Sequence, residues 1–322
     1  AHNEAAGIAA MAARLLAQDL SGIDARLLLL ANGCTDGTVA IARAAGLEVA
    51  DLPEGGKSRT WNRFVHDLAR REAEVLVFCD ADIEFGAPDT LARLVKGLVA
   101  RPSLWVLNSQ PVKDIVARPE GLSRLDRLIA AAGGGLDDWK TAICGQLYAM
   151  PAIRARRFHL PIGLPVEDGF LRAMVLTDGL EGPEDFRRID GAAGVAHLYA
   201  SERSIPALIR HQERIVIGSA INAALFAHLR QIPIPARRAE MIRAAGLEGW
   251  LGEVLRLRLP SAPHGWVPFH FLWKRLSRLV AAPRNLLRPK RVLVALMGFG
   301  FDAIVFIRAQ IRMARGTGAG FW

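Results

Sequence analysis

The sequence is poor in cysteine, with Cys34, Cys79 and Cys144 as the three such residues in a chain of 322. Three cysteines cannot form a disulfide framework, and none lies in a CxxC or Cys/His pattern typical of a structural zinc site. The first residues also lack the basic, apolar and small-residue regions of a secretory signal peptide. This composition favours a reducing compartment over export.

A glycine-rich dinucleotide-binding loop is absent as well. Gly298 and Gly300 follow no predicted strand and lack the third glycine of that fingerprint. The composition, with 51% hydrophobic and 23% charged residues, excludes disorder as the main state of the chain. The length indicates about two domains, or one large domain with an appendage.

Acidic residues are scarce in the last third of the chain. Residues 1–229 hold 25 Lys and Arg against 28 Asp and Glu, whereas residues 230–322 hold 16 basic and four acidic residues. The formal charge of +9 therefore arises from the C-terminal part, which carries +12. We expect residues 230–322 to form a separate helical region that meets either anionic lipid or nucleic acid.

The first hundred residues alternate helical and strand patterns. Short apolar runs at Arg26–Ala31 and Glu74–Cys79 are typical of buried strands, and Ala/Leu-rich segments between them are typical of helices. Further along the chain, the pattern predicts a strand over Thr141–Met150 and a helix over Glu167–Thr177. This rhythm predicts an α/β fold, Rossmann-like, with a mixed, mostly parallel sheet and helices on both faces. In such sheets ligands bind beyond the carboxyl ends of the strands, where Asn32–Asp36 and Asp80–Asp82 lie.

Two acidic motifs carry the candidate chemistry. Asp80-Ala81-Asp82 follows a predicted strand, and paired carboxylates there can hold a hard divalent cation beside a diphosphate. Glu167-Asp168 opens a predicted helix, where one carboxylate can act as general base on a hydroxyl. The alternatives are a solvated turn for the first motif and favourable interaction with the helix dipole for the second.

Five segments together resemble family 2 glycosyltransferases in order and spacing. The resemblance covers about residues 1–215. The segments are Ala1-His2-Asn3-Glu4, Asn32-Gly33-Cys34-Thr35-Asp36-Gly37-Thr38, Gly56-Lys57 through Asn62, Asp80-Ala81-Asp82 and Glu167-Asp168. The resemblance implies the GT-A fold and inverting transfer from a nucleotide-diphospho-sugar to an acceptor hydroxyl.

The resemblance also implies a role for each matching residue. Asp168 would be the catalytic base, with Glu167 orienting the acceptor or supporting the base. Asp80 and Asp82 would hold the sugar-diphosphate and Mg²⁺ or Mn²⁺, with His197 as a further metal ligand. The other expected donor-binding residues are Asn3, Glu4, Asn32, Asp36, Lys57, Gly145, Gln146 and Arg214.

Three departures from the family pattern limit what it implies. The segment His211–Ile215 matches the QxxRW motif of processive members at Arg214 alone, so we expect non-processive transfer. Ala31 stands where the family has an aspartate that reads the nucleobase, so the base stays unassigned. Ala1–Glu4 has the pattern of a strand end entering a helix, so we expect the natural chain to extend upstream by about one strand.

The segment Val292–Ile307 is apolar except for Asp302 and is flanked by basic residues. Sixteen residues of helix reach about 24 Å, which is short of a bilayer core of roughly 30 Å. We favour an interfacial or re-entrant helix over a span, at the cytoplasmic face of the membrane, near an acceptor that can be lipid-linked.

Two other functions remain open. A nucleotidyltransferase that forms nucleotide-sugars needs a GxGxR loop, which Ala1–Gly7 lacks. A nucleic-acid-binding protein could use the basic C-terminal region, with Trp266, Phe269, Phe271 and Trp273 stacking on bases. The long apolar run favours lipid over nucleic acid.

Overall fold

A computed structural model describes residues 1–122, 138–259, 266–281 and 288–316. The strands are β1 (Leu28–Asn32), β2 (Glu48–Leu52), β3 (Val75–Cys79), β4 (Ile83–Phe85), β5 (Val106–Lys113), β6 (Leu147–Pro151) and β7 (Ile189–Tyr199). The helices up to residue 155 are α1 (Ile8–Leu16), α2 (Thr38–Ala44), α3 (Lys57–Arg63), α4 (Thr90–Val99), α5 (Asp114–Ala117) and α6 (Ala152–Ala155). The later helices are α7 (Glu167–Thr177), α8 (Ile205–Leu229), α9 (Ile234–Gly246), α10 (Trp250–Arg258), α11 (His270–Val280) and α12 (Pro289–Ala314).

The strands form two sheets. β1 and β2 make a parallel pair, and the other five strands lie in the order β3-β6-β5-β7-β4. Within the larger sheet β5 and β7 are parallel, whereas β3–β6, β5–β6 and β4–β7 are antiparallel. The predicted α/β class and a mixed sheet are confirmed. The expectation that the sheet is mostly parallel is wrong for the described strands, because three of their five pairs are antiparallel.

Hydrophobic residues pack on both faces of the larger sheet. One cluster joins strand residues such as Met150 to α7, α8 and the C-terminal helices, and includes Phe170, Ile221 and Val305. A second cluster packs α1 and α4 on the sheet, around residues such as Leu94. The predicted arrangement of helices on both faces is therefore confirmed. The boundary that we predict at residue 229 stays a prediction, since the first cluster includes residues on both sides of it.

Helix α7 spans the range that its sequence pattern predicts, Glu167–Thr177. The strand predicted for Thr141–Met150 is wrong in its first part, because β6 begins at Leu147. The preceding residues form a loop fastened to the buried side chain of Asn108. The side-chain amide of Asn108 donates to the carbonyl of Ala142, and its Oδ1 accepts from the backbone N–H of Cys144.

The C-terminal helix α12 packs on α8 and α11. The fully buried carboxylate of Glu213 on α8 pairs with Arg308, at 3.0 Å, and with Arg312, at 3.5 Å. Among the described residues, the segment Val292–Ala314 is the one helix long and apolar enough to cross a membrane, and 11% of its most apolar window is buried. The apolar helix is thus longer than the sixteen residues of the sequence pattern.

Candidate active site

A cavity of about 1130 Å³ lies at the carboxyl ends of β1 and β3 and continues between these two strands. Nine of the thirteen predicted site residues line it. These are Glu4, Asn32, Lys57, Asp80, Asp82, Gly145, Glu167, Asp168 and Arg214. The fold therefore brings together motifs that are far apart in the sequence, as expected for the carboxyl edge of an α/β sheet.

Lys57, at the first position of α3, connects the two acidic motifs. Its Nζ lies 3.1 Å from Oδ2 of Asp80 and 3.4 Å from Oε1 of Glu167. Burial disfavours the ammonium form, but Asp80, Glu167 and Asp168 outweigh it and raise the pKa of Lys57. Lys57 is therefore a cation throughout the physiological pH range.

Asp168 lies in the first turn of α7 and faces the cavity. Burial, together with the neighbouring charge of Glu167, raises the pKa of Asp168 to about 6. Lys57 and Arg214 act in the opposite direction by stabilising the carboxylate. A carboxylate with a pKa near 6 is ionised at neutral pH and is a stronger base than an ordinary aspartate.

Gly145 lets the loop before β6 approach Asp168 closely. A Cβ atom at this position would lie 3.3 Å from Oδ2 of Asp168, so a larger side chain would displace the carboxylate. The same loop is tied to α7 by Arg172, whose Nε donates to the carbonyl of Thr141 at 2.7 Å. Sequence reasoning missed Arg172 and Asn108 because their partners are backbone atoms, which leave no signal in a motif.

Asp80, Asp82 and Glu4 give the neighbouring wall of the cavity a negative charge. Burial and then the charge of Asp80 raise the pKa of Asp82, and burial and then the charge of Asp82 raise the pKa of Glu4. Asp82 forms no salt bridge within the described part of the chain. Carboxylate oxygens without a salt-bridge partner, such as those of Asp82, suit a hard divalent cation such as Mg²⁺ or Mn²⁺. In the described ranges, however, no three His, Cys, Asp or Glu side chains form a metal-binding group by themselves.

Asn32 and Asp36 hold the loops around the cavity. Oδ1 of Asn32 accepts from the backbone N–H of Gly56 at 2.7 Å, which fixes the start of α3 and thus Lys57. Asp36 accepts from Thr38 and from the backbone N–H of Ala5, and the hydrogen bond from Thr38 is the main cause of its lowered pKa. Asp36 itself does not line the cavity.

Asn3 also lies outside the cavity lining, because its side chain joins two loops. Its backbone has a positive φ of 54°, and its Oδ1 accepts from the backbone N–H of Thr35 at 2.8 Å. This bond ties the N-terminal segment to the loop after β1. Asn3 thus shapes the edge of the site.

His197 and Gln146 pair with each other behind the cavity wall. Nε2 of His197 lies 3.0 Å from Oε1 of Gln146, and Nδ1 lies 3.1 Å from the hydroxyl of Ser109. Burial lowers the pKa of His197 to about 4, so its imidazole is neutral at physiological pH. Both ring nitrogens have protein partners, and neither residue lines the cavity. The metal-ligand role of His197 stays a prediction.

Residues 1–150 match the model of the family Glycosyl transferase family 2. The family resemblance of the sequence is therefore confirmed over these residues. A search of curated protein sequences finds no match to the chain.

Solved structures also resemble this fold. The mannosyltransferase PcManGT from Pyrobaculum calidifontis, in complex with GDP-Man and Mn²⁺, aligns over 97% of this chain and 84% of its own, with 17% identity and a TM-score of 0.52. Glucosyl-3-phosphoglycerate synthase from Mycobacterium tuberculosis, in complex with Mg²⁺ and UDP, aligns over 72% of this chain and 77% of its own. Its identity is 19% and its TM-score is 0.45. The first similarity supports the GT-A fold.

Proposed function

We propose that this protein, whose residues 1–150 match a glycosyltransferase family, transfers a sugar from a nucleotide-diphospho-sugar to an acceptor hydroxyl with inversion at the anomeric carbon. The observation that carries this proposal is the position of Asp168. Its carboxylate lies in one cavity with Asp80, Asp82 and the ammonium group of Lys57. The cavity thus combines a base for the acceptor with charged groups suited to a diphosphate.

In the proposed reaction the acceptor oxygen attacks the anomeric carbon as Asp168 takes the hydroxyl proton. A new glycosidic bond forms on the face opposite the leaving group, and the bond between the anomeric carbon and the diphosphate oxygen breaks. The electron pair leaves with the nucleoside diphosphate. The raised pKa of Asp168 suits this role, because a base is most effective when its pKa lies close to the working pH.

The basic side chains act on the leaving group. The ammonium group of Lys57 lies between the two acidic motifs. It can pair with the diphosphate as negative charge develops on the leaving group. Arg214 lines the same cavity, and a guanidinium group pairs well with phosphate oxygens. Both residues would also keep the ionised form of Asp168 populated.

Asp82 and Asp80 would hold a divalent cation, Mg²⁺ or Mn²⁺, together with the phosphates of the donor. The cation would supply charge neutralisation on the departing diphosphate. The mannosyltransferase of similar fold was determined with GDP-Man and Mn²⁺, which supports this assignment.

The C-terminal helix gives the proposed location. Exposed apolar side chains lie along α12, including Leu293, Val294, Leu296 and Met297. Trp266, Phe269 and Trp273 are also exposed in the preceding segment. We therefore place the protein at an anionic membrane surface on the cytoplasmic side, where a lipid-linked acceptor would be accessible. This pattern favours lipid over nucleic acid as the partner.

A donor screen tests the proposed reaction. The purified protein is incubated with a panel of UDP-, GDP- and dTDP-sugars and Mn²⁺, and release of nucleoside diphosphate is measured with and without membrane lipid extract. We expect release from one class of donor, and its loss in Asp168→Asn with donor affinity retained. Equal release by the variant would contradict the role of Asp168. Absence of both release and donor binding across the panel would contradict the proposed function.

A further inference from the structure

The residue before α7 supplies no side-chain cap, and within the first turn Oδ1 of Asp168 accepts from the backbone N–H of Gly169 at 2.7 Å. Val166 is the residue before the helix, and no side chain at this position caps the exposed N–H groups. Its carbonyl oxygen accepts at 3.4 Å from the backbone N–H of Phe170, a long bond for the start of a helix. The turn that carries Glu167 and Asp168 therefore depends on contacts from elsewhere in the fold.

Helix α8 supplies these contacts from one stripe of residues. Arg214, Gly218 and Asn222 recur every fourth residue and so lie on the same face of the helix. Nδ2 of Asn222 donates to the carbonyl oxygen of Val166 at 3.0 Å. Asn222 is 6% exposed, so its side-chain amide is a buried polar group on this face.

Gly218 makes the close approach of the two helices possible. A Cβ atom on Gly218 would lie 2.3 Å from Cγ2 and 2.7 Å from Cβ of Val166, which is closer than real contacts allow. Any side chain at 218 would therefore push Val166 away from α8. Glycine in the middle of a helix costs roughly 1 kcal/mol relative to alanine, so its presence here needs a packing reason.

The position of Val166 affects the position of the Asp168 carboxylate. Val166 directly precedes Glu167 and Asp168, and the carboxylate of Asp168 already lies close to Gly145 on its other side. A shift of Val166 by the distance that a methyl group requires would move this carboxylate within the cavity. Proton transfer depends steeply on such distances, since a misplacement of about 1 Å can cost roughly 100-fold in rate.

We propose that Gly218 and Asn222 are positioning residues, which hold Val166 so that Asp168 lies at the correct place in the cavity. Arg214, on the same stripe, stabilises the charge of Asp168 from the side of the cavity. Helix α8 thus acts on the proposed catalytic base both by shape and by charge. The kinetic consequences of this inference rest on the proposed transfer reaction, whereas its structural consequences do not.

The test uses a steric variant and its compensating partner. In Gly218→Ala we expect kcat to fall about 10- to 100-fold, with the donor dissociation constant within about twofold of the original. The second substitution Val166→Gly removes the two closest side-chain atoms and leaves the backbone nitrogen at 3.2 Å, so the double variant should recover part of the lost kcat. Gly252→Ala in α10 is the matched control, because a Cβ atom there meets nothing within 4 Å.

Asn222→Ala removes the hydrogen bond without adding volume and serves if Gly218→Ala does not fold. The same fall in kcat with unchanged donor affinity is expected. Full kcat in either folded variant, or a loss in the double variant as large as in Gly218→Ala, would overturn the inference.

A second measurement is independent of catalysis. The ¹³C carboxyl signal of Asp168, assigned by its loss in Asp168→Asn, is followed against pH in the full-length protein. The charged groups that influence it are Glu167, Lys57 and Arg214, and the backbone N–H of Gly169 donates to its Oδ1. In the Gly218 and Asn222 variants we expect the apparent pKa to move toward the ordinary aspartate value, because the displaced carboxylate meets more water. An unchanged titration would overturn the inference, even if the donor screen finds no transfer.

Discussion

The ammonium nitrogen of Lys57 lies 3.4 Å from the carboxylate of Glu167 and joins two acidic motifs that the chain places far apart. The same nitrogen lies 3.1 Å from Asp80. In one position this side chain therefore connects the candidate diphosphate site to the candidate base. Substitution of Lys57 should therefore affect both donor binding and the ionisation of Asp168.

Replacement of Lys57 by glutamine should weaken donor binding by at least about tenfold, because a charge-assisted contact to phosphate is lost. It should also raise the pKa of Asp168, since Lys57 lowers that pKa in the wild-type protein. Donor titration by calorimetry and the pH dependence of kcat measure the two effects. Arg43→Gln removes one exposed positive charge on α2 and is the control. An unchanged affinity would contradict the role of Lys57 at the diphosphate.

The rate of transfer should depend on pH through Asp168. The carboxylate must be ionised to accept a proton, so kcat should fall as the pH drops through about 6, where its pKa lies. Between pH 7 and 8 the ionised fraction of Asp168 rises only from about 90% to about 99%, so kcat should change little. A stopped assay of nucleoside diphosphate release over pH 4.5 to 8 measures the profile. A plateau that extends down to pH 4.5 would show that another group is the base.

The free energy of unfolding should also depend on the ionisation of Asp168. Its contribution should be larger at low pH, whereas kcat should be larger at high pH. Because the pKa of Asp168 is raised in the folded state, folding favours the protonated form. This favourable contribution is present below the unfolded value near 4 and is lost as the pH rises through about 6. Asp168→Asn, a mimic of the protonated acid, should therefore be more stable than wild type by roughly 2 to 3 kcal/mol at pH 8.

Urea denaturation at pH 8 and pH 4.5 measures this difference. We expect the gain of the variant to shrink at the lower pH, where the wild-type acid is already protonated. Asp67→Asn is a suitable control, because Asp67 is exposed and pairs only with Arg63 in the described part of the chain. An equal gain in the free energy of unfolding at both pH values would mean that burial of the Asp168 charge does not cause the gain.

Asp82→Asn should remove the dependence of donor binding on the divalent cation. In the wild-type protein we expect Mn²⁺ to tighten binding of the nucleotide-sugar, because the cation bridges carboxylate and phosphate oxygens. In the variant the affinities with Mn²⁺ and with EDTA should become similar. Calorimetric titration in both buffers measures the effect. A variant that still gains affinity from Mn²⁺ would exclude Asp82 as the ligand.

The exposed apolar face of α12 should determine membrane binding. Val294 and Met297 are 69% and 67% exposed, and their joint replacement by glutamate should reduce co-sedimentation with phosphatidylglycerol liposomes at least about tenfold. Ile153→Glu, at a residue that is 75% exposed on α6, controls for exposed apolar area outside this region. Binding to RNA in a gel-shift assay, without binding to liposomes, would instead favour the nucleic-acid alternative.

Much of the site could be predicted from local pattern. Asp80 and Asp82 follow an apolar strand, and Glu167 and Asp168 begin a helix, because burial and helix periodicity leave clear signals in the order of residues. The carboxyl edge of an α/β sheet then requires these motifs to meet. The family resemblance supplied the chemical roles, which periodicity alone does not give.

Other features depend on which groups meet in space. His197 matches a ligand position in the sequence, yet the fold pairs its imidazole with Gln146 and Ser109. The strand expected from Thr141 begins at Leu147, because Asn108 holds the preceding loop through backbone atoms. The hydrogen bonds of Asn108 are made to main-chain groups, which every residue carries, so no residue pattern indicates them.

The amino-acid order by itself therefore determined the α/β class, the two acidic motifs and the basic, apolar C-terminal region, since each follows from local burial, charge and periodicity. Only the tertiary structure decided that Lys57 lies between Asp80 and Glu167, and that α8 presents Gly218 and Asn222 to the residue before Asp168. The physical reason is that the ionisation and position of a buried carboxylate depend on distances of a few ångströms between distant parts of the chain.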